Sequence, residues 1–143
     1  MQSSGWLFWA VLSAAFAALT AIFAKVGLEG VDSDLATLVR TFVIMLALGM
    51  FVFATAKWTN PLSLSAKTLT FLILSGLATG ASWVCYFRAL KVGNASKVAP
   101  VDKLSVLLVA IFAVLFLGER PPLKDWLGIG LISAGAVLLA LKR

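Results

Sequence analysis

Charged side chains interrupt two apolar segments of this sequence, at positions where they could do chemistry. Arg40 stands in "TLVRTF", and the adjacent Asp102 and Lys103 stand in "APVDKLSV". The uncharged stretch from Leu104 to Gly118 rises only about 22 Å as a helix, less than the ~30 Å hydrocarbon core of a bilayer. A helix that crosses a bilayer here must therefore take Asp102 and Lys103 with it. Ionised groups at that depth are costly, and they usually mark a functional role or a compensating partner.

The depths of these charges predict how they pair. If the second helix enters the membrane near Leu35 and the fourth near Val98, Arg40 and Asp102 lie about 6–8 Å deep on the same side. We therefore predict that Asp102 pairs with Arg40. Adjacent helical residues point roughly 100° apart, so Asp102 and Lys103 should not satisfy each other, and Lys103 should line a cavity or extend to the interface. The alternative is an ion pair that only locks two helices together.

Two aromatic residues lie deep in the third apolar segment. Trp83 is several turns from either end, and Tyr86 follows one turn later on the same face. An indole N–H prefers a hydrogen-bond partner, which the wall of a polar cavity would supply. Ser75, Thr79 and Ser82 offer hydroxyl groups on neighbouring faces. The alternative is that both rings simply pack against adjacent helices.

The composition sets the class of protein. Of the 143 residues, 62% are hydrophobic and the mean hydropathy is +1.04, whereas soluble domains are about 45–50% apolar. This indicates an integral membrane protein with the lipid bilayer as its environment. With no His and a single Cys, Cys85, we expect no metal, cofactor, disulfide framework or catalytic Cys/His arrangement, and no enzyme. The net charge of +6 is spread singly between apolar segments, so we expect no nucleic-acid partner.

Uncharged runs and turn residues divide the chain into five membrane-spanning helices, which predicts an all-α bundle forming a single domain over residues 1–143. Ser33 or Asp34 is the expected N-cap of the second helix, and proline should occupy the first turn of the fifth. The predicted spans are about 5–26, 34–55, 66–90, 96–118 and 122–141.

Small residues mark the helix faces that can pack closely. Gly76 and Gly80 form a GxxxG pattern in the third span. The fifth span carries a second group, which we interpret as an oligomer contact, with ordinary packing inside one bundle as the alternative. That group consists of Gly128, Gly130, Ala134 and Gly135.

The basic residues near the span ends leave the orientation of the chain open. On the N-terminal side lie Lys57, Lys67, Arg120 and Lys124, and on the other side lie Lys25, Lys91, Lys97, Lys142 and Arg143. These flanks are nearly balanced, which is compatible with dual topology. If the deeper Arg40, Arg88 and Lys103 count as well, the C-terminus is expected in the cytoplasm.

The order of several motifs resembles a known family. "VRTF", "SWVCYFRALKVGNASKVAP", "LFLGER" and the closing "WLGIGLISAGAVLLAL" together are similar to the EamA-type repeat of the drug/metabolite transporter superfamily. The resemblance covers nearly the whole chain. It implies one half of an inverted-repeat transporter fold, alternating-access transport of small solutes or metabolites, and a location in the bacterial cytoplasmic (inner) membrane.

The chain departs in two ways from the families it resembles, and both affect the expected assembly and mechanism. EamA-type proteins usually carry two such repeats, so this single repeat needs a partner, most simply a second copy in an antiparallel homodimer. The last span also resembles the dimerising helix of small multidrug resistance transporters. Their embedded first-helix glutamate has no counterpart in "WLFWAVLSAAFAALTAIFA", so their proton-exchange mechanism does not carry over. The alternative function is a non-transporting membrane subunit that packs with a different chain.

The embedded charges also predict the substrate class. Arg40, Arg88 and Lys103 outnumber Asp102, which favours an anionic or zwitterionic solute. Asp102 is the one acid deep enough to carry a coupling proton. The candidates for the substrate cavity are therefore Arg40, Trp83, Tyr86, Asp102 and Lys103.

Overall fold

The computed structural model describes residues 5–141, and this range is helical with no β-strand. The α-helices are α1 (Gly5–Gly27), α2 (Ser33–Ala54), α3 (Ala66–Val92), α4 (Ala95–Asp102), α5 (Ser105–Leu117) and α6 (Leu123–Ala140), and a short 3₁₀ turn covers Pro61–Ser63. Taking α4 and α5 as one span, five segments are long and apolar enough to cross a membrane. The all-α, five-span prediction is confirmed, with span ends within about two residues of those expected. Lys142 and Arg143 of the charge count lie outside the described residues.

The start of α2 differs by one residue from the expected cap. Asp32, not Ser33 or Asp34, is the N-cap: its Oδ1 accepts the backbone N–H groups of Asp34 at 2.9 Å and Leu35 at 3.1 Å. The preceding turn lets the Asp32 backbone stay extended, which is the conformation that aims an N-cap side chain back at the first turn. Asp34 is thereby left free to bind another helix.

The fourth span, predicted as one continuous helix, is interrupted. α4 ends at Asp102, and α5 begins at Ser105. Between them the amides of Lys103 and Leu104 bond carbonyls three residues back, at 3.0 Å each, as in a 3₁₀ turn. Pro100 lies inside α4, where a proline removes one backbone donor and disturbs the helical ladder. The charged pair therefore stands at a break in the helix.

A glycine explains the end of α5. Gly118 adopts a left-handed conformation, with φ 67°, and its amide and that of Glu119 both bond the carbonyl oxygen of Ala113. A side chain at a positive φ is strained, so this C-cap favours glycine. The glycine of "LFLGER" thus ends one span and starts the turn that leads to the next.

Contacts divide the chain into two compact units. One contains the residues up to Ile22 together with those from Val92 onward, and the other spans Phe23–Lys91. In the first unit α6 packs against α4 and α5, and its buried residues are small: Ala21, Ala110, Ala113, Ser133 and Ala136. In the second unit the buried residues are Leu28, Thr37, Phe87 and Leu90. The single-domain expectation stays a prediction.

Candidate functional site

Two lysines tie the end of α1 to the end of α3. Lys25, in the last turn of α1, donates through Nζ to the carbonyl oxygen of Leu90 at 2.7 Å. Lys91, in the last turn of α3, donates to the carbonyl oxygen of Leu28 at 2.8 Å and to that of Val31. The last carbonyls of a helix lack partners within it and carry partial negative charge. Lys25 therefore caps the end of α3, whereas Lys91 holds the turn that follows α1.

A salt bridge joins the start of α2 to α3. The Arg88 guanidinium binds the Asp34 carboxylate through two hydrogen bonds, Nε to Oδ1 at 2.9 Å and Nη2 to Oδ2 at 2.6 Å. Both side chains are largely exposed. The bidentate geometry fixes the rotation of both side chains and neutralises both charges. Arg88, which we counted among the free deep charges, therefore already has a counter-ion.

Farther from these helix ends, Arg40 of α2 lies over two aromatic rings of α3. Its guanidinium carbon is 4.3 Å from the centroid of the Trp83 ring and 5.2 Å from that of Phe87. The two rings are four residues apart, which puts them on the same face of α3. Arg40 begins about 10 Å along α2 from Ser33. Such cation–π contacts stabilise a charge in a medium poor in water.

The contacts of Arg40 leave its hydrogen-bonding groups available. Within residues 23–91, the guanidinium makes no hydrogen bond or ion pair, and the indole N–H of Trp83 makes no hydrogen bond. A guanidinium that stacks through its face keeps its in-plane N–H groups free to bind an oxyanion. We name the cluster of Arg40, Trp83 and Phe87 the arginine–aromatic site. In it, the N–H groups of Arg40 are the hydrogen-bond donors, and the two aromatic rings hold the guanidinium in place.

The remaining side chains predicted in α3 differ in their surroundings. Tyr86 is half-buried, and its ring lies 6.3 Å from that of Phe87 in an edge-to-face arrangement. The hydroxyl group of Thr79 donates to the carbonyl oxygen of Ser75 at 2.9 Å, so it is satisfied by its own helix. Ser82 is exposed. The structure thus places Trp83 and Phe87 against Arg40, and not the hydroxyl groups of Ser75, Thr79 and Ser82.

The predicted relationship between Asp102 and Lys103 was wrong. The Nζ of Lys103 lies 3.3 Å from Oδ2 of Asp102, with both side chains partly exposed. Lys103 keeps a helical-type backbone, with φ −71° and ψ −4°, so the rotation between the two neighbours persists, and the flexible four-carbon stem of lysine lets Nζ reach back to the carboxylate. The two neighbours therefore do satisfy each other in part. The pairing of Asp102 with Arg40 stays a prediction, because the two residues belong to different units.

The glycines of the predicted packing faces border open space. A Cβ added at any of Gly76, Gly80, Gly128, Gly130 or Gly135 would meet no heavy atom within 4 Å beyond its own helix. In α6 the buried side chains Ser133 and Ala136 define one face. At 100° per residue, Gly128 and Gly135 share one flank of that face, and Gly130 and Ala134 share the opposite flank.

Comparison with known proteins decides the family. Residues 4–141 match the model of the EamA-like transporter family. The chain belongs to this family. A second finding agrees: the chain is 60% identical over 139 residues to an uncharacterized transporter in the cobO 3′ region of Sinorhizobium sp., with 97% of this chain and 99% of the relative covered.

A more distant relative of this EamA-like chain comes from an archaeon. It is an uncharacterized protein of Methanocaldococcus jannaschii, 30% identical over 87 residues, covering 61% of this chain and 64% of the relative. No solved structure matches the chain. With its five apolar spans, the chain is an integral, multi-pass membrane protein of a transporter family whose members act on small solutes.

Several residues of the site in this EamA-like chain were not predicted from the sequence. Phe87 was overlooked, although its spacing of four residues from Trp83 places both on one helix face. Asp34 was considered only as a cap. Lys25 and Lys91 were counted as topology charges alone. One signal could have identified Asp34, Lys25 and Lys91. All three lie near span ends that the five-span topology places on the same side of the bilayer.

Proposed function

We propose that this chain transports small solutes by alternating access, as an antiparallel homodimer of five-span subunits in a bacterial cytoplasmic membrane. The observation that carries the proposal is the interrupted fourth span, with the charged pair Asp102 and Lys103 at its break. Membership of the EamA-like family supplies the transport class. The 60% identical relative from a Sinorhizobium species supports the bacterial membrane.

The interruption supports a solute path because of what a bilayer allows. Irregular backbone at membrane depth is tolerated where it is buried in protein or lines a water-filled cavity. Asp102 and Lys103 retain 37% and 56% side-chain exposure in the single chain, so water or a second chain must cover them. Broken helices with polar groups at the break are a general device for building substrate sites in transporters.

The exposed apolar surface supports a second copy. At most 11% of the residues in the most apolar stretch of any span are buried within the chain, which leaves ample surface for a partner. The glycines on both flanks of α6 are open and let another helix approach closely. We assign the contact to the flank of Gly128 and Gly135, whose two glycines are one heptad apart. EamA-type proteins usually carry two repeats in one chain, inverted relative to each other. A subunit with one repeat regains the same geometry by pairing with an inverted copy of itself.

The candidate cavity residues favour a negatively charged or zwitterionic solute. Arg40 is held on Trp83, with Tyr86 one turn away, and it is not neutralised by an acid within residues 23–91. Lys103 shares its charge with Asp102. The net positive balance of these side chains attracts anions electrostatically.

Orientation is the first test. A single cysteine replaces Thr59 in the α2–α3 connection of a Cys85→Ser chain, and intact cells are labelled with an impermeant thiol reagent before and after permeabilisation. Labelling of about half of the molecules from outside supports the antiparallel homodimer. Labelling of all or none from outside rejects it and directs the search to a different partner chain.

Transport is tested with the purified chain in proteoliposomes. Alternating access predicts that efflux of a preloaded labelled solute accelerates when the same unlabelled solute is added outside. Solutes of a metabolite panel, charged and uncharged, are each examined in this way. Absence of exchange for every solute, together with stoichiometric co-purification of another membrane protein, would establish the non-transporting subunit instead.

A further inference from the structure

The positive charges of residues 23–91 that lie on and around the C-terminal half of α3 are unequally satisfied. Lys25 directs its Nζ at a main-chain carbonyl in the last turn of α3, and Lys91 directs its Nζ at main-chain carbonyls of the turn after α1. Arg88 is paired with Asp34 at 2.6 Å and 2.9 Å. Arg40 instead lies against rings, with its N–H groups unsatisfied inside this unit. A ligand that needs a cationic donor therefore finds it at Arg40.

We propose that the arginine–aromatic site binds the carboxylate group of a monocarboxylate solute, with Arg40 as the binding residue and Trp83 and Phe87 holding its guanidinium. This inference rests on the proposed transport function and adds to it the chemical group that the site recognises and the residue that recognises it. It concerns only residues of the unit Phe23–Lys91.

The geometry favours a planar oxyanion. A guanidinium presents its N–H groups as a fork that matches the two oxygens of a carboxylate. The Trp83 and Phe87 contacts, at 4.3 Å and 5.2 Å from the guanidinium carbon, restrict the rotation of a long side chain. A donor group that is already oriented loses less conformational entropy when it binds.

The charge balance favours a monoanion. With Arg88 neutralised by Asp34 and the two lysines held by main-chain carbonyls, the positive charge beside the aromatic rings, that of Arg40, has no acidic partner within residues 23–91. A monocarboxylate neutralises it. A dianionic phosphate ester would carry a second, unpaired negative charge into a medium of low dielectric constant, which is costly.

The walls of the site favour a solute with an apolar body. Trp83, Tyr86 and Phe87 lie within little more than one turn of α3, and all three are at least half-buried. The indole N–H of Trp83 adds a second donor beside the guanidinium. Aromatic walls with a few polar groups that fix orientation are the usual composition of small-molecule sites.

The experiment measures binding of three matched probes to the full chain in detergent by calorimetry: phenylacetate, phenyl phosphate and benzylamine. They share an aromatic body and differ in the charge of the head group. We expect saturable binding of phenylacetate, binding of phenyl phosphate that is at least about tenfold weaker, and none of benzylamine. Equal or tighter binding of phenyl phosphate or benzylamine, or no saturable binding of phenylacetate at millimolar concentration, overturns the proposal.

Variants assign the binding to Arg40. Arg40→Lys keeps the charge but loses the fork, and we expect phenylacetate binding about tenfold weaker. Arg40→Gln should abolish it. Arg120→Gln removes an exposed arginine of the α5–α6 connection and should bind phenylacetate as the parent does. Wild-type affinity for phenylacetate in Arg40→Gln refutes the assignment to Arg40. If a variant fails to fold, the comparison of the three probes on the parent chain still tests the proposal.

The outcome separates this proposal from that of transport. Solute exchange in proteoliposomes without binding of phenylacetate would reject the monocarboxylate site and leave the transporter intact. Arg40-dependent binding of phenylacetate without exchange of any solute would confirm the site and reject transport.

Discussion

The guanidinium carbon of Arg40 lies 4.3 Å from the centroid of the Trp83 ring. One residue comes from α2 and the other from α3, so the contact both joins two spans and stabilises a charge in an apolar setting. Phe87, one turn farther along α3, also contacts the guanidinium, with its ring centroid 5.2 Å from the guanidinium carbon. The electron-rich face of an aromatic ring attracts a cation most strongly where water is excluded.

Substitution of Trp83 tests that contact. Trp83→Leu removes the ring face and should lower the free energy of unfolding by about 1–2 kcal/mol, whereas Trp83→Phe should recover most of it. Thermal unfolding in a mild detergent measures both. Trp126→Leu, in α6, is the matched control for losing a tryptophan. Equal stability of Trp83→Leu and Trp83→Phe would contradict a role for the ring.

The Lys25 cap on the end of α3 predicts a local loss of stability when it is removed. Lys25→Met keeps the aliphatic stem but removes the charged donor from the Leu90 carbonyl, 2.7 Å away. We expect a cost of about 1–2 kcal/mol, since a partly buried carbonyl loses a charge-assisted hydrogen bond. Hydrogen exchange should also speed up at the end of α3. Lys97→Met, on the exposed side of α4, serves as the control and should leave both measurements unchanged.

The Asp34–Arg88 pair predicts a weak, salt-dependent coupling. Both side chains are largely exposed, and exposed ion pairs are screened by dissolved ions and contribute little to stability. A double-mutant cycle with Asp34→Asn and Arg88→Gln should give a small favourable coupling at low ionic strength that vanishes at high ionic strength. A large coupling that is insensitive to salt would mean that the pair is shielded from water, for instance by a second chain.

The two flanks of α6 predict different effects on assembly. Gly128→Leu combined with Gly135→Leu should weaken dimerisation by about 1 kcal/mol or more, near fivefold in Kd, since it blocks close helix approach. The fold of the chain should tolerate both changes, because a Cβ at either position meets nothing within 4 Å beyond its own helix. Gly130→Leu, on the other flank, is the control. Förster transfer between labelled copies in vesicles measures the affinity, and equal effects of both flanks would disprove the assignment.

The sequence by itself determined the class and the number of spans, and it placed the span ends to within about two residues. Apolar stretches of bilayer length, broken by "LEGVDSD", "KWTNPLSLSAK" and "ERPP", predict five spans because an unsatisfied backbone cannot face lipid. The same reasoning located Arg40, Trp83 and the pair Asp102 and Lys103 inside spans. These are local properties of the chain, set by composition and by turn chemistry.

Only the tertiary structure decided the partners. Asp34 binds Arg88 and Lys25 binds the Leu90 carbonyl, although each pair is far apart in sequence. Lys103 reaches the carboxylate of its neighbour Asp102 because its side chain is long and flexible. Side-chain pairing depends on helix rotation and on exact ends, and a shift of one residue turns a side chain by about 100°. Sequence patterns fix span ends only to within a residue or two, so they cannot choose among neighbouring partners.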